Sequence, residues 1–297
     1  MAIKPVRKAV LPVAGFGTRV LPATKAIPKE MMPVFDRPAI HHVVDEALEA
    51  GIEHIVFVTG RNKGEIEDYF DIAYELEEAL KAKGKLDVLE QVQSSLPRAG
   101  AFSFTRQQSA KGLGHAVLCA RDIIGDEPFA VLLPDVLIDS DVSCLKQMMN
   151  EYDKVGGNII AVDEVPVERV HKYGVIRPAD GAKPTDRLIQ MTGMVEKPKT
   201  EDAPSNLKIT GRYILQPEIW DILENQAPGA GNEIQLTDAM ETLMQKQEFF
   251  AARFDGADYD CGDKMLYLQA TAAFALSNKE HGAKAREILE DLLAKFK

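Results

Sequence analysis

The chain contains 297 residues, of which 45% are hydrophobic and 27% are charged, and its formal net charge is −11. This composition is typical of a globular protein and excludes a disordered or collagen-like chain. The acidic balance argues against a general nucleic-acid-binding protein. No apolar run approaches the roughly 18 residues of a membrane-spanning helix, and Pro12 and Gly15 interrupt the apolar stretch near the N-terminus. We therefore expect no signal peptide, no membrane association and no nucleic-acid partner.

The three cysteines are Cys119, Cys144 and Cys261, which are widely spaced along the chain. An odd number of cysteines without a CxxC pair predicts neither a disulfide framework nor a structural zinc site. A reducing, cytoplasmic location fits this pattern.

Strands alternate with helices over the first 165 residues. Residues 7–14 predict a buried strand, and a long loop rich in glycine and proline follows over 15–33. The later strands are predicted at 52–59, 101–105, 129–133 and 158–162, and the helices at 38–50, 62–83, 113–124 and 142–155. This alternation predicts an α/β fold with a doubly wound, mostly parallel sheet.

The pattern changes after residue 165, where polar loops join successive strands. The strands are predicted at 173–176, 188–196, 207–215 and 249–254, and the helices at 217–225, 233–247, 264–277 and 282–296. No internal repeat or low-complexity linker separates the two parts. We therefore predict a single mixed α/β domain over 1–297, with a substrate-binding second half.

The N-terminal region is basic within an otherwise acidic chain. Residues 1–40 contain seven Lys or Arg and two Asp or Glu, so their local charge is +5. Basic side chains among glycines suggest a phosphate site. On charge alone, a solvated basic arm explains the cluster equally well.

The glycines of this region follow the first predicted strand, in the run Gly15-Phe16-Gly17-Thr18-Arg19. The carboxyl edge of an open α/β sheet is where ligands bind, and glycines let backbone N–H groups approach a phosphate. Val20 stands where a dinucleotide fingerprint needs its third glycine, and no Walker A loop can be drawn through the segment. The segment therefore predicts a phosphate site of another kind.

Together with Pro28-Lys29-Glu30, this loop resembles the signature of the sugar-1-phosphate nucleotidyltransferases. Supporting motifs follow in the order of that family over about residues 7–280: Arg106-Gln107, Lys111–Ala116, Leu133-Pro134-Asp135, Tyr173-Gly174-Val175, Val195–Pro198, Thr210–Tyr213 and Tyr259–Gly262. The resemblance is closer to the uridylyltransferases than to the thymidylyltransferases. The latter typically carry Lys-Gln where Lys29-Glu30 stands, and they lack an insertion like residues 62–100.

The resemblance implies a Rossmann-like nucleotidyltransferase fold, with a mixed, mostly parallel sheet flanked by helices and a smaller sugar-binding β region. Its nucleotide-binding half would span about 1–165, its sugar-phosphate-binding half 166–262 and its C-terminal helices 263–297. The implied reaction converts UTP and α-D-glucose 1-phosphate into UDP-glucose and pyrophosphate, by in-line transfer with Mg²⁺. The family also suggests a homodimer or homotetramer.

The same resemblance implies roles for individual residues. Nucleotide binding falls to Ala14, Gly15, Gly17, Thr18, Arg19, Glu30, Gln107 and Gly112. Sugar-phosphate binding falls to Gly174, Glu196, Lys197 and Gly211. The catalytic residues are Arg19, Lys29 and Lys197, whose charges suit phosphate binding. The metal ligands are Asp135 and Asp260, because Mg²⁺ prefers one or two carboxylates together with phosphates.

Two other interpretations stay open at this point. Asp139-Ser140-Asp141 and Asp258-Tyr259-Asp260 match the DxD pattern of metal-dependent glycosyltransferases. A non-catalytic nucleotide sensor on the same fold is the second alternative, although the motif lysines and aspartates are all present. We interpret His115 as a packing or capping residue, because no second His or Cys lies at ligand spacing.

Overall fold

The computed structural model describes residues 3–94, 96–183 and 185–296. Its strands are β1 (Lys8–Pro12), β2 (Pro33–Val34), β3 (Arg37–Pro38), β4 (His54–Thr59), β5 (Phe102–Arg106), β6 (Phe129–Leu132), β7 (Val136–Asp139), β8 (Asn158–Glu164), β9 (Gly174–Pro178), β10 (Leu188–Glu196), β11 (Leu207–Leu215), β12 (Phe249–Arg253) and β13 (Ala257–Asp260). Its α-helices are α1 (Ala39–Glu49), α2 (Gly64–Tyr69), α3 (Tyr74–Ala82), α4 (Leu86–Ser94), α5 (Leu113–Leu118), α6 (Arg121–Ile124), α7 (Cys144–Val155), α8 (Ile219–Asn225), α9 (Leu236–Met244), α10 (Lys264–Ser277) and α11 (Gly282–Lys295).

In the described part of the chain, nine strands form one sheet in the order β5-β4-β1-β6-β11-β8-β12-β10-β9. Strands β5, β4, β1 and β6 are mutually parallel, and β12 is parallel to β8. Strand β11 is antiparallel to both of its neighbours, and β10 is antiparallel to β12 and β9. Within this sheet, all strands except β10 and β11 therefore run in one direction, which confirms the predicted mixed, mostly parallel sheet.

Helices cover both faces of this sheet, because its central strands are apolar on both sides. In β1, Ala9 and Leu11 pack against α1 and α7 on one face. Val10 packs on the opposite face, against α5, α8 and α9. Side chains of successive strand residues point to opposite faces, so a wholly apolar strand demands a layer of helices on each side. In the part of the chain that the structure describes, no helix is both long and apolar enough to cross a membrane.

Two predicted helices are each divided in the structure. The helix predicted at 62–83 is wrong: α2 ends at Tyr69, and α3 begins at Tyr74. The backbone N–H of Ile72 donates to the Asp71 carboxylate at 2.8 Å, which stabilises the turn between them. The helix predicted at 113–124 is divided into α5 and α6, since Cys119 and Ala120 form tighter, three-residue turns. Helix α4 was not predicted.

A second, two-stranded sheet was also not predicted, and it determines the geometry of the site. Strand β7 pairs antiparallel with β13, with Val136 opposite Asp260. The backbone N–H of Cys261 then donates to the carbonyl of Asp135 at 2.6 Å. This pairing brings Asp135, in the turn after β6, next to Asp260, the last residue of β13.

Candidate functional site

Two cavities lie side by side at the carboxyl edge of β1 and β6. The first, of about 380 Å³, is bounded by the Gly15 loop, Lys29 and the segment after β5. The second, of about 570 Å³, lies between the ends of β10 and β11 and the β7–β13 pair. Leu133 and Asp135 line both cavities. Ligands in the two cavities would therefore meet at Asp135.

Most residues with a predicted nucleotide role line the first cavity, namely Ala14, Gly15, Thr18, Glu30, Gln107 and Gly112. Arg19 lines the second cavity instead. Gly17 packs behind Lys29: a Cβ at Gly17 would lie 3.2 Å from the Lys29 Cβ. The structure therefore brings six of these eight residues to one cavity, with Arg19 in the neighbouring one.

Gly112 has a conformation and a packing environment that exclude a side chain. Its φ is +97°, and an added Cβ would lie 2.7 Å from the Glu233 Cβ and 2.8 Å from the Ile234 carbonyl oxygen. The side-chain Nε2 of Gln107 donates to the Gly112 carbonyl at 3.0 Å. The close approach fixes the cavity wall that Gln107 and Gly112 share.

Lys29 and Asp135 form a close ion pair at the junction of the cavities. The Nζ–Oδ2 distance is 2.6 Å, and the two side chains are 17% and 19% exposed. Burial lowers the pKa of Lys29, but the Asp135 and Glu30 carboxylates outweigh this effect and the pKa is raised overall. Burial raises the pKa of Asp135, yet Lys29 brings it below its ordinary value. Both groups are therefore charged near neutral pH.

Asp260 is the second carboxylate at the junction. Arg19 lies between the two, with guanidinium nitrogens 3.9 Å from Asp135 Oδ2 and 3.8 Å from Asp260 Oδ2. Burial and the neighbouring Asp135 charge raise the pKa of Asp260. The backbone N–H of Gly262 donates to Asp260 Oδ1 at 2.7 Å. The nearby Asp263 has a different position, since it caps the N-terminus of α10.

These two carboxylates fit a hard divalent cation held jointly with a phosphate-bearing ligand. Among the described residues, no group of three or more His, Cys, Asp or Glu side chains could hold a metal ion. A cation at Asp135 and Asp260 would therefore need further oxygen ligands from a substrate. Mg²⁺ characteristically binds in this way, through one or two carboxylates together with phosphates. It would also offset the burial and the neighbouring Asp135 charge that together raise the pKa of Asp260.

Glu30 is a buried carboxylate with an unusual environment. Its side-chain Oε2 lies 2.7 Å from Nζ of Lys63, which is also buried. Its Oε1 has no hydrogen-bond partner among the described residues. Burial raises the pKa of Glu30 even though Lys63 and Lys29 lower it. Sequence reasoning missed Lys63, although its place in the loop after the parallel strand β4 was an available signal.

The second cavity contains the residues with a predicted sugar-phosphate role. Glu196, Lys197 and Gly211 line it, and Gly174 adjoins it, because a Cβ at Gly174 would lie 3.0 Å from Glu196 Oε2. Lys197 Nζ lies 3.1 Å from Glu196 Oε1. The backbone of Lys197 has φ +46° and donates its N–H to the Tyr173 carbonyl at 3.0 Å.

Further basic residues of this cavity were not singled out from the sequence. Lys172 and Lys208 line it. Lys208 pairs with Asp258 at 2.5 Å and lies 5.2 Å from the centre of the Tyr173 ring. His115, in contrast, lines neither cavity; its Nδ1 lies 3.0 Å from Gln107 Nε2, which agrees with a packing role.

Arg212 supports the junction from within the core. Its guanidinium donates to both carboxylate oxygens of Glu46, at 3.0 and 2.8 Å. It also donates to the carbonyl oxygens of Leu133 and Val136, at 3.0 and 2.8 Å. These carbonyls flank Asp135 on either side. Arg212 therefore ties the turn that carries Asp135 to helix α1.

Comparisons with known proteins agree with this geometry. The model of the nucleotidyl transferase family matches residues 8–276. UTP–glucose-1-phosphate uridylyltransferase of Staphylococcus epidermidis is 49% identical over 290 residues, which are 98% of this chain and 99% of the relative. UTP-bound UGPase from Acinetobacter baumannii has a TM-score of 0.89 and 43% identity, over 97% of this chain and 99% of its own.

A further solved structure is described as UDP-glucose pyrophosphorylase complexed with UDP-glucose. It has a TM-score of 0.79 and 46% identity, over 91% of this chain and 98% of its own. The family predicted from the motifs is thereby confirmed, together with the predicted fold. With the family model covering most of its length, the chain belongs to the nucleotidyl transferase family.

Proposed function

We propose that this chain transfers the uridylyl group of UTP to α-D-glucose 1-phosphate, producing UDP-glucose and pyrophosphate. The observation that carries the proposal is the pair of cavities that share Asp135, with Lys29 and Arg19 beside it. Such an arrangement suits a reaction in which a nucleotide and a second phosphorylated substrate must meet. The names of the full-length relatives support the choice of substrates.

The chemistry requires positioning and charge neutralisation rather than a general base. A sugar phosphate is already ionised near neutral pH, so its oxygen can attack the α-phosphorus of UTP in line with the leaving pyrophosphate. Lys29 and Arg19 would bind the triphosphate and stabilise the charge that develops on pyrophosphate. Their location beside Asp135 places both cations at the meeting point of the two cavities.

Nucleotidyltransferases of this kind generally use a divalent metal. We propose Mg²⁺, held by Asp135 and Asp260 together with phosphate oxygens. When bound, this ion withdraws charge from the phosphate that is attacked. In its absence the Lys29 ammonium would keep Asp135 ionised, and the Arg19 guanidinium would lie against both carboxylates.

Each cavity would recognise one substrate through residues with complementary chemistry. In the first, Glu30, Gln107 and Gly112 would face the uracil edge, while Ala14, Gly15 and Thr18 would surround the ribose and phosphates, with Gly17 behind Lys29. In the second, Glu196 would accept hydrogen bonds from glucose hydroxyls, and Lys197 would bind the phosphate of glucose 1-phosphate. Gly174 and Gly211 would allow the sugar to approach the backbone.

This division would make residues 1–165 the nucleotide-binding half, 166–262 the sugar-phosphate-binding half and 263–297 a C-terminal helical part. A homodimer or homotetramer in the cytoplasm remains the expectation from the family resemblance.

The decisive test is release of pyrophosphate from glucose 1-phosphate with each of UTP, ATP, GTP, CTP and dTTP. We expect UTP to be strongly preferred over ATP, GTP and CTP, since mismatched hydrogen bonds in a buried polar pocket are costly. dTTP is the most demanding comparison, because it differs from UTP only by a methyl group and the missing 2′-hydroxyl. A glycosyltransferase would instead release UDP from UDP-glucose. Neither DxD pair offers two free carboxylates at the site. Asp260 lies there, but its partner Asp258 is paired with Lys208. Asp139 and Asp141 lie beside another cleft. Equal turnover with ATP and UTP would overturn the proposal.

A further inference from the structure

The ion pair between Glu30 and Lys63 lies in an unusual place for two charged side chains. Glu30 is 1% exposed and Lys63 is 6% exposed, and the two residues come from different loops at the same edge of the sheet. Their 2.7 Å contact is therefore a buried charge-assisted hydrogen bond. Removing two charges from water is expensive, so a pair retained beside a cavity calls for a functional reason.

The second oxygen of Glu30 suggests that reason. Oε1 is buried and has no hydrogen-bond partner among the described residues, and Glu30 lines the cavity that we assign to the nucleotide. A buried acceptor without a donor is unfavourable until a ligand provides one. In that cavity the uracil ring offers one N–H donor on its pairing edge, at N3, where cytosine presents an acceptor. An ionised carboxylate distinguishes these two edges, whereas a neutral carboxyl group can donate as well as accept.

Lys63 is the cation that can hold Glu30 in that state. The charged groups that face Glu30 are Lys63 and Lys29, and burial itself favours the neutral acid. Lys29 is already paired with Asp135 at 2.6 Å. Lys63 therefore remains to neutralise Glu30, and its bond to Oε2 leaves Oε1 available.

We propose that Lys63 is a positioning and specificity residue: it fixes the Glu30 carboxylate so that Oε1 accepts the N3–H of uracil. The inference rests on the proposed function of the first cavity, and it adds a residue to the recognition of the base. Lys63 itself acts through Glu30 and does not line that cavity.

The test compares Lys63→Met with the wild-type enzyme. Methionine keeps an unbranched side chain in the same place but removes the charge. We expect the KM for UTP to rise roughly tenfold or more, as for loss of a hydrogen bond to a charged group. The preference in kcat/KM for UTP over CTP should fall on the order of tenfold. The KM for glucose 1-phosphate should stay unchanged.

A second comparison remains informative if Lys63→Met fails to fold. In the Glu30→Gln variant the residue at 30 carries no charge, so Lys63 has no carboxylate to hold. Adding Lys63→Met to that variant should therefore change its KM for UTP by no more than about twofold. Lys63→Arg in the natural background should retain much of the base preference. The exposed Lys154, which pairs with Glu151 on the surface, provides the control variant Lys154→Met.

Two outcomes would overturn the inference while leaving the proposed function intact. One is an unchanged KM for UTP and an unchanged UTP-to-CTP preference in a folded Lys63→Met enzyme. The other is an equal effect of Lys63→Met with and without Glu30→Gln. Failure of the wild-type enzyme to release pyrophosphate from UTP and glucose 1-phosphate would instead contradict the proposed function itself.

Discussion

Asp135→Asn is the substitution that most directly tests the shared wall of the two cavities. Asparagine keeps the shape of the side chain but removes its negative charge, and Asp135 lines both cavities. A metal ligand would be weakened, and Lys29 would lose the carboxylate that it contacts at 2.6 Å. We expect turnover to fall on the order of 10² or more, equivalent to roughly 2.7 kcal/mol or more.

The expected effect of Asp135→Asn on stability is smaller and follows from the same contact. A hydrogen bond to a charged group contributes about 1.5–3 kcal/mol, and the partial exposure of this pair reduces that to about 1–2 kcal/mol. The Glu30 carboxylate remains close enough to favour the charged form of Lys29. The melting temperature without ligands should therefore fall by roughly 2–8 °C, which leaves the enzyme folded in the assay.

Rates of pyrophosphate release at saturating substrates, together with thermal unfolding, measure the two effects separately. Asp260→Asn should resemble Asp135→Asn. Asp263→Asn is the matched control, because Asp263 caps α10 through its side chain and asparagine caps equally well. Normal turnover of Asp135→Asn, an equal loss in Asp263→Asn, or full activity in excess EDTA would refute the reasoning.

Three further predictions concern other parts of the molecule. Lys197→Ala should raise the KM for glucose 1-phosphate far more than the KM for UTP. Lys199→Ala is the control, and equal KM values for the two variants would contradict the prediction. Arg212→Met leaves Glu46 buried without its cationic partner, so urea unfolding should show a free energy of unfolding lower by about 3–5 kcal/mol. The double variant Arg212→Met/Glu46→Gln should recover part of this loss. Burial holds the pKa of His42 below its ordinary value of 6.5, so below that pH the unfolded chain binds the proton first. The free energy of unfolding should therefore decline as pH falls from about 6.5 and level off below the folded pKa. A His42→Gln variant whose free energy of unfolding had the same pH dependence would argue against this.

The sequence predicted those parts of the site that have a local pattern. Gly15 and the residues after it follow an apolar strand, and Asp135 follows another, so the carboxyl edge of a parallel sheet accounts for both positions. The strand order itself needed the structure. β11 is antiparallel within an otherwise mostly parallel region, and nothing in its own residues indicates which neighbours it has.

Long-range pairing accounts for what the sequence did not predict. Strands β7 and β13 have four residues each, too few for a periodic pattern to stand out, and each is stabilised by the other. Lys63 appears in sequence as an ordinary charged residue, and Arg212 appears only as a member of the motif Thr210–Tyr213, without an assigned role. Their burial follows from partners on other elements, Glu30 and Glu46 respectively. Only the folded chain gives them a role.

The position of β11 has a consequence for dividing the gene. Residues 207–215 form the strand between β6 and β8, both of which belong to the first 165 residues. An N-terminal fragment cut at residue 165 would lack that strand, leaving the edges of β6 and β8 unpaired. We expect such a fragment to aggregate when expressed alone, and co-expression with the remainder to restore activity by complementation. The enzyme could then be assembled from two separately encoded chains, neither of which is active alone.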